Sequence, residues 1–132
     1  MTSEVIYFAD GGTIGRNPSP RGIYWSVAVE EAGGPSRVVV SRERSGEYRT
    51  NNDAEWLALL AALYHARAYY RTRRITIRSD SRLIVRQFNR TWRTKIARHH
   101  RWRTEAHLVA EELVSCSVEW TSRIFMVDRL GH

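Results

Sequence analysis

The sequence predicts a single α/β domain built on a mixed sheet. Three observations carry this: short apolar runs rich in Val, Ile, Tyr and Trp open the chain, a helical period follows, and strand and helix patterns then alternate. Val5-Ile6-Tyr7-Phe8-Ala9 is a continuous apolar run of strand length, and Asp10-Gly11-Gly12 after it reads as a turn. The stretch 15–22, Gly-Arg-Asn-Pro-Ser-Pro-Arg-Gly, is dense in turn formers and reads as a loop. Stretches 22–30 and 37–42 are strands joined by a hairpin at Glu31-Ala32-Gly33-Gly34-Pro35, giving three antiparallel strands up to about residue 44. From Asp53 to about Tyr70, Trp56, Leu57, Leu60, Leu63 and Ala66 recur at three- and four-residue steps, an amphipathic helix. Residues 75–80 form a strand, and Ser81 caps a short helix carrying Leu83, Ile84, Val85 and Phe88. A further helix spans about 96–113, a last strand 115–121, and Val127 begins a final helical turn that the chain barely continues.

A strand, a helix and a second strand in that order imply a right-handed crossover, which sets the strand at Ile75 parallel to the first. Ligand sites in such sheets gather at the carboxyl ends of parallel strands, where Asp10 and Asp80 fall.

Composition narrows the class. A chain of 132 residues with 42% hydrophobic and 27% charged residues is globular and the length of one domain, here 1–132. No apolar run approaches a membrane span, and the N-terminus lacks a signal peptide's basic start and apolar stretch. Cys116 stands alone, which excludes an internal disulfide and a four-cysteine zinc site and is expected to pack inside. A cytoplasmic monomer is the expectation. The net charge is +7, and of 21 basic residues all but Lys95 are arginine, whose planar fork matches phosphate oxygens. Base composition of the genome also favours arginine. Yet residues 81–104 hold eight basic side chains and no acidic one, with Trp92 and Trp102 interleaved, and this polarity points to a polyanionic partner. Trp102, at helical spacing, reads as core, and His99-His100 lacks partners at a zinc spacing.

The chain has four aspartates: Asp10, Asp53, Asp80 and Asp128. Singly, Asp10 also fits a turn, Asp80-Ser81 a cap, and Asn52-Asp53-Ala54-Glu55 a capping box with Asn52 as cap. Together, Asp10, Asp80 and Glu55 converge on one end of the sheet. Carboxylates so placed repel unless a cation lies between them, and magnesium favours such oxygen ligands. The chain has no Ser-His-Asp motif, Cys-His pairing or glycine-rich phosphate loop followed by lysine and serine, which suits chemistry carried by carboxylates.

Asp10-Gly11-Gly12 with the loop at 15–22, then Thr50-Asn51-Asn52-Asp53-Ala54-Glu55-Trp56, then Ser79-Asp80-Ser81, resemble type 1 ribonuclease H over nearly the whole chain. The resemblance implies a ribonuclease H-like fold, a five-stranded mixed sheet of order 3-2-1-4-5 with helices on both faces. It implies catalytic and metal-binding roles for Asp10, Glu55, Asp80 and, through Val127-Asp128-Arg129-Leu130, Asp128. Two magnesium ions, replaceable by manganese, would serve hydrolysis of the RNA strand of an RNA–DNA hybrid to 5′-phosphate and 3′-hydroxyl ends. Gly11, Gly12, Asn51 and Asn52 would face the minor groove of the hybrid, Asn17 and Thr50 would hold a DNA-strand phosphate, and Ser81, Trp92, Arg90 and Arg93 complete the binding set. The chain looks like the short form without a basic handle insertion, and its closing helix reads as truncated. It departs from the family in having Ile124 where an asparagine is usual, and no histidine at 121–127, where Arg123 alone has comparable reach; His132 comes after Asp128. The competing readings are a non-catalytic nucleic-acid-binding domain of the same fold and a structure-specific DNA nuclease.

Overall fold

A computed structural model describes residues 3–131; Met1, Thr2 and His132 lie outside the described residues. The elements are β1 (Glu4–Thr13), β2 (Ile23–Glu31), β3 (Arg37–Arg44), α1 (Asn51–Tyr69), β4 (Arg74–Ser79), α2 (Arg82–Phe88), α3 (Ala97–Glu111), β5 (Ser115–Trp120) and α4 (Arg123–Leu130). They form one sheet of order β3-β2-β1-β4-β5, as expected. β1 pairs antiparallel with β2 and β2 with β3, while β1–β4 and β4–β5 are parallel.

Alternation along β1 divides the core. Val5, Tyr7 and Ala9 face the large cluster built with Trp56, Leu59 and Leu63 of α1 and Ala106 and Val109 of α3. Ile6 and Phe8 face the opposite side, where Ala28 and α4's Met126 and Leu130 form a small second cluster. The helices therefore cover both faces, unequally. Trp102 packs half-buried on the large cluster with its ring edge-on to Tyr48. Cys116 is also partly buried there, and burial pushes its thiol up to about 11.

Three local expectations need correction. β1 does not end at Ala9. It runs through Asp10, Gly11 and Gly12, which pair with Ser26, Trp25 and Tyr24, because an aromatic-rich partner strand offers ladder bonds that outcompete a turn. α1 is capped by Thr50, not Asn52. The Thr50 hydroxyl accepts from the Asp53 N–H at 3.1 Å, and the Asp53 carboxylate accepts from the Thr50 N–H at 3.2 Å, a capping box two residues earlier than expected. That shift releases Glu55 from capping. Finally, α4 starts at Arg123 rather than Val127 and ends on Gly131, whose left-handed backbone (φ 79°) donates to the Val127 carbonyl. It is a short capped helix, stabilised by burying Met126 and Leu130. Among the described residues, no helix is long and apolar enough to cross a membrane.

Candidate active site

Each carboxylate arrives by its own route. Asp10 sits in β1 two residues after Phe8, and so on the α4 face of the sheet, 1% exposed. Asp80 follows the last residue of β4. Its backbone is held on both sides: the Trp120 indole N–H donates to the Asp80 carbonyl at 3.1 Å, the Ser81 N–H donates to Ser79 Oγ at 3.1 Å, and Ser81 Oγ caps α2 by accepting from the Ile84 N–H. Glu55 comes from the first turns of α1, on the other face.

Gly11 brings Glu55 across. A Cβ at Gly11 would lie 2.4 Å from the Ala54 carbonyl carbon and 2.7 Å from its Cβ, so only glycine lets α1 approach β1 this closely. The Gly11 N–H then donates to the Glu55 carboxylate. The outcome is a group in which Asp10, Glu55 and Asp80 each offer an oxygen within 4.8 Å of the others.

The electrostatics of this group are unfavourable as it stands. Burial, then the charges of Asp10 and Asp80, hold the Glu55 carboxyl well above the usual carboxylate range. Glu55 Oε2 is buried without a hydrogen-bond partner among the described residues. Among the described residues, the one cation within reach is Arg123, the first residue of α4: its Nη1 lies 3.1 Å from Asp80 Oδ2 and 3.9 Å from Asp10 Oδ2.

A hollow of about 370 Å³ opens onto the group, walled by Gly11, Gly12, Asn51, Asn52, Ser81 and Arg123. The structure thus gathers five expected binding residues around three expected carboxylates. Two neighbouring hollows hold others: Asn17 lines one with Arg16 and Arg49, while Trp92 and Arg93 line the other with Lys95 and Gln87. Asn17 Oδ1 also accepts from the Asn51 N–H at 3.1 Å, tying the 15–22 loop to α1. Thr50 is engaged in its cap. Arg90 ends α2 in a left-handed conformation (φ 64°) and lines none of these three hollows.

Asp128 stands apart. Its side chain is 82% exposed, it pairs with Arg129 at 3.4 Å, and it is outside the carboxylate group. The expectation that it joins the other three is not met, because α4 turns Met126 and Leu130 inward and carries Asp128 outward.

Sequence reasoning did not foresee three sets of contacts. Tyr24 packs its ring against Gly12 across the β1–β2 ladder, and the pairing register was the only signal for it. Trp120 and Arg123 reach Asp80 from β5 and α4, about forty residues downstream. The third surprise is Asp53, fully buried and gripped from α3: Arg98 Nε and Nη2 donate at 2.7 and 2.9 Å, and His99 Nε2 lies 2.7 Å from Oδ1. His99 is therefore a strut between α3 and the start of α1. Burial would raise the Asp53 carboxyl, but the hydrogen bonds from Arg98, His99 and Thr50 prevail and bring it down to about 2.

A carboxyl depressed in the fold stabilises it above its unfolded pKa and loses that effect as pH falls through the folded value. Denaturant titrations are accordingly expected to show about 2 kcal/mol of stability disappearing between about pH 4 and pH 2. Asp53→Asn should be less stable at neutral pH and should flatten that window; an unchanged acid profile would refute the assignment.

The sheet order, with carboxylates from β1, α1 and the end of β4, defines the class: this is a ribonuclease H-type domain. The chain belongs to the reverse transcriptase-like family, whose model matches residues 27–126. It is 30% identical over 131 residues to the bifunctional protein Rv2228c of Mycobacterium tuberculosis; the match takes in 98% of this chain but 35% of that protein, so the chain spans about a third of its curated relatives. Among solved structures, ribonuclease H1 of the archaeon Halobacterium salinarum superposes with a TM-score of 0.79 at 26% identity, covering 96% of this chain and 90% of that one. The N-terminal ribonuclease H domain of Rv2228c gives 0.80 at 24%, covering 97% and 88%. LC11 ribonuclease H1, solved in complex with an RNA/DNA hybrid, gives 0.77 at 22%, covering 95% and 90%. The last two likenesses concern the fold.

Proposed function

We propose that this domain hydrolyses the RNA strand of RNA–DNA hybrids with two divalent metal ions, leaving 5′-phosphate and 3′-hydroxyl ends. The observation that carries the reading is the close carboxylate group at the mouth of a polar hollow. The donor set fits a hard cation: all its ligands are oxygens, burial and then the charges of Asp10 and Asp80 push the Glu55 carboxyl up, and Glu55 Oε2 has no hydrogen-bond partner among the described residues. Asp10, Glu55 and Asp80 would hold magnesium, or manganese in its place. Bound there, two such ions supply an activated water and charge relief at the phosphoryl and leaving oxygens.

The chain's own residues do the rest. Gly11 and Gly12 line the hollow where a ribose would lie, and Asn51 and Asn52 line it beside them where a 2′-hydroxyl, both donor and acceptor, would be read. Asn17 and Thr50 would keep a DNA-strand phosphate in register. Trp92, with the Arg86 guanidinium 4.6 Å from its ring centre, and Arg90 and Arg93 extend the cationic track away from the carboxylates. Asp128 is proposed as an outlying fourth carboxylate, so Asp128→Asn should cost far less activity than a change at Asp80.

The test is cleavage of one labelled hybrid against duplex DNA and duplex RNA, with magnesium and with chelator. Metal-dependent cutting of the RNA strand alone is expected. Cutting that persists in chelator overturns the reading, and salt-sensitive binding without cutting under either metal would assign the domain to non-catalytic binding.

A further inference from the structure

Arg123 occupies an unusual place for a surface cation. Its side chain is 59% exposed, yet its tip reaches inward to the buried group, 3.1 Å from Asp80 and 3.9 Å from Asp10. These are two of the three carboxylates that would hold a divalent ion. A guanidinium so placed relieves the repulsion between the acidic side chains, which is the same electrostatic service a metal would perform. Both cations therefore seek the same oxygens.

The element that carries Arg123 is suited to yielding. It is the first residue of α4, whose N-cap Ser122 makes no side-chain capping bond. α4 is held to the sheet through Met126 and Leu130, while Ile124, Phe125 and Val127 are exposed. Withdrawing one long, solvent-exposed side chain from this turn disturbs no core contact.

We propose that Arg123 is a built-in counter-ion of Asp10 and Asp80 that competes with the divalent cation, so that metal loading requires the guanidinium to swing out of the carboxylate group. This rests on the reading that these carboxylates bind metal, and it adds a device that sets how tightly. The metal-free site is partly neutralised, at the expense of cation affinity. Binding free energies are reciprocal, so whatever draws Arg123 outward tightens the metal, and the metal frees Arg123 for an anion.

Manganese binding to the purified protein, followed by electron paramagnetic resonance of the free ion or by calorimetry, tests this without any turnover. Arg123→Ala is expected to bind manganese about tenfold more tightly than the unmodified protein, an ordinary size for a coupling between two bound groups. Arg129→Ala removes the same charge from the same helix, but Arg129 is held by Glu30 at 3.0 Å, and this variant should stay within about twofold. A melting series supplies the second readout: Arg123→Ala should melt below the unmodified protein in chelator and gain more from saturating manganese. Equal affinities for the unmodified protein and Arg123→Ala, or weaker binding by the variant, overturn the proposal and leave the metal reading standing. No manganese binding by either protein overturns both.

Discussion

Asp80→Asn is expected to lower hybrid cleavage on the order of 10³-fold or more, about 4 kcal/mol of activation free energy, while the fold persists. The asparagine keeps the shape and the backbone bonds to Trp120 and within the Ser79–Ser81 turn, none of which uses the carboxylate. What it removes is one negative oxygen of the group and the ion pair with Arg123, whose side chain is 59% exposed, so that the pair's own contribution to stability is small. Loss of activity with an unchanged or raised melting temperature in chelator is the expected pair of results. The rise has a definite origin. Glu55 has a folded pKa above its ordinary value, so its contribution to stability is complete below about pH 4.5 and is lost as pH climbs through the folded value. At neutral pH without metal the group thus strains the fold, and removing Asp80's charge relaxes it. Glu55→Gln should raise stability in chelator for the same reason. Retained cleavage in Asp80→Asn would remove the carboxylate group from the mechanism.

Gly11→Ala is expected to have the largest effect on stability, on the order of 3 kcal/mol, seen as a melting point lower by roughly 10 °C. The added methyl would meet the Ala54 backbone at 2.4 and 2.5 Å, and neither a strand centre nor a helix backbone can step aside as a flexible side chain would. α1 must retreat from β1. The same retreat carries Glu55 away from Asp10 and breaks its bond from the Gly11 N–H, so cleavage should fall together with stability. The two variants are thereby told apart: one loses chemistry and keeps the fold, the other loses both. A Gly11→Ala protein that melts like the unmodified one would refute the close packing described here.

Much of this was legible before the structure. The 3.6-residue period of α1 and α3, the strand run at β4 and the Ser81 cap are local signals, each completed within a few residues. So is the placement of Asp10 and Asp80 just past the parallel β1–β4 pairing, which ends at Phe8 and Arg78, since a crossover connection has one hand. Less legible was the competition between local alternatives. Asn52 and Thr50 both qualify as caps by residue type; Thr50 prevails because the buried Asp53 is pinned by Arg98 and His99, 45 and 46 residues further on.

By itself, then, the sequence determined the order and type of the elements, the sheet they form and the three carboxylates that meet at one end of its central strands. Periodicity, turn chemistry and crossover handedness act over short stretches that can be read in one dimension. Tertiary structure alone decided how far β1 extends, that Asp128 faces solvent, and that Arg123 closes on the acidic group. The first depends on the ladder to β2, and the other two on which face of α4 finds an apolar partner on the sheet and on contacts between residues 43 to 113 positions apart, where no local pattern carries the information.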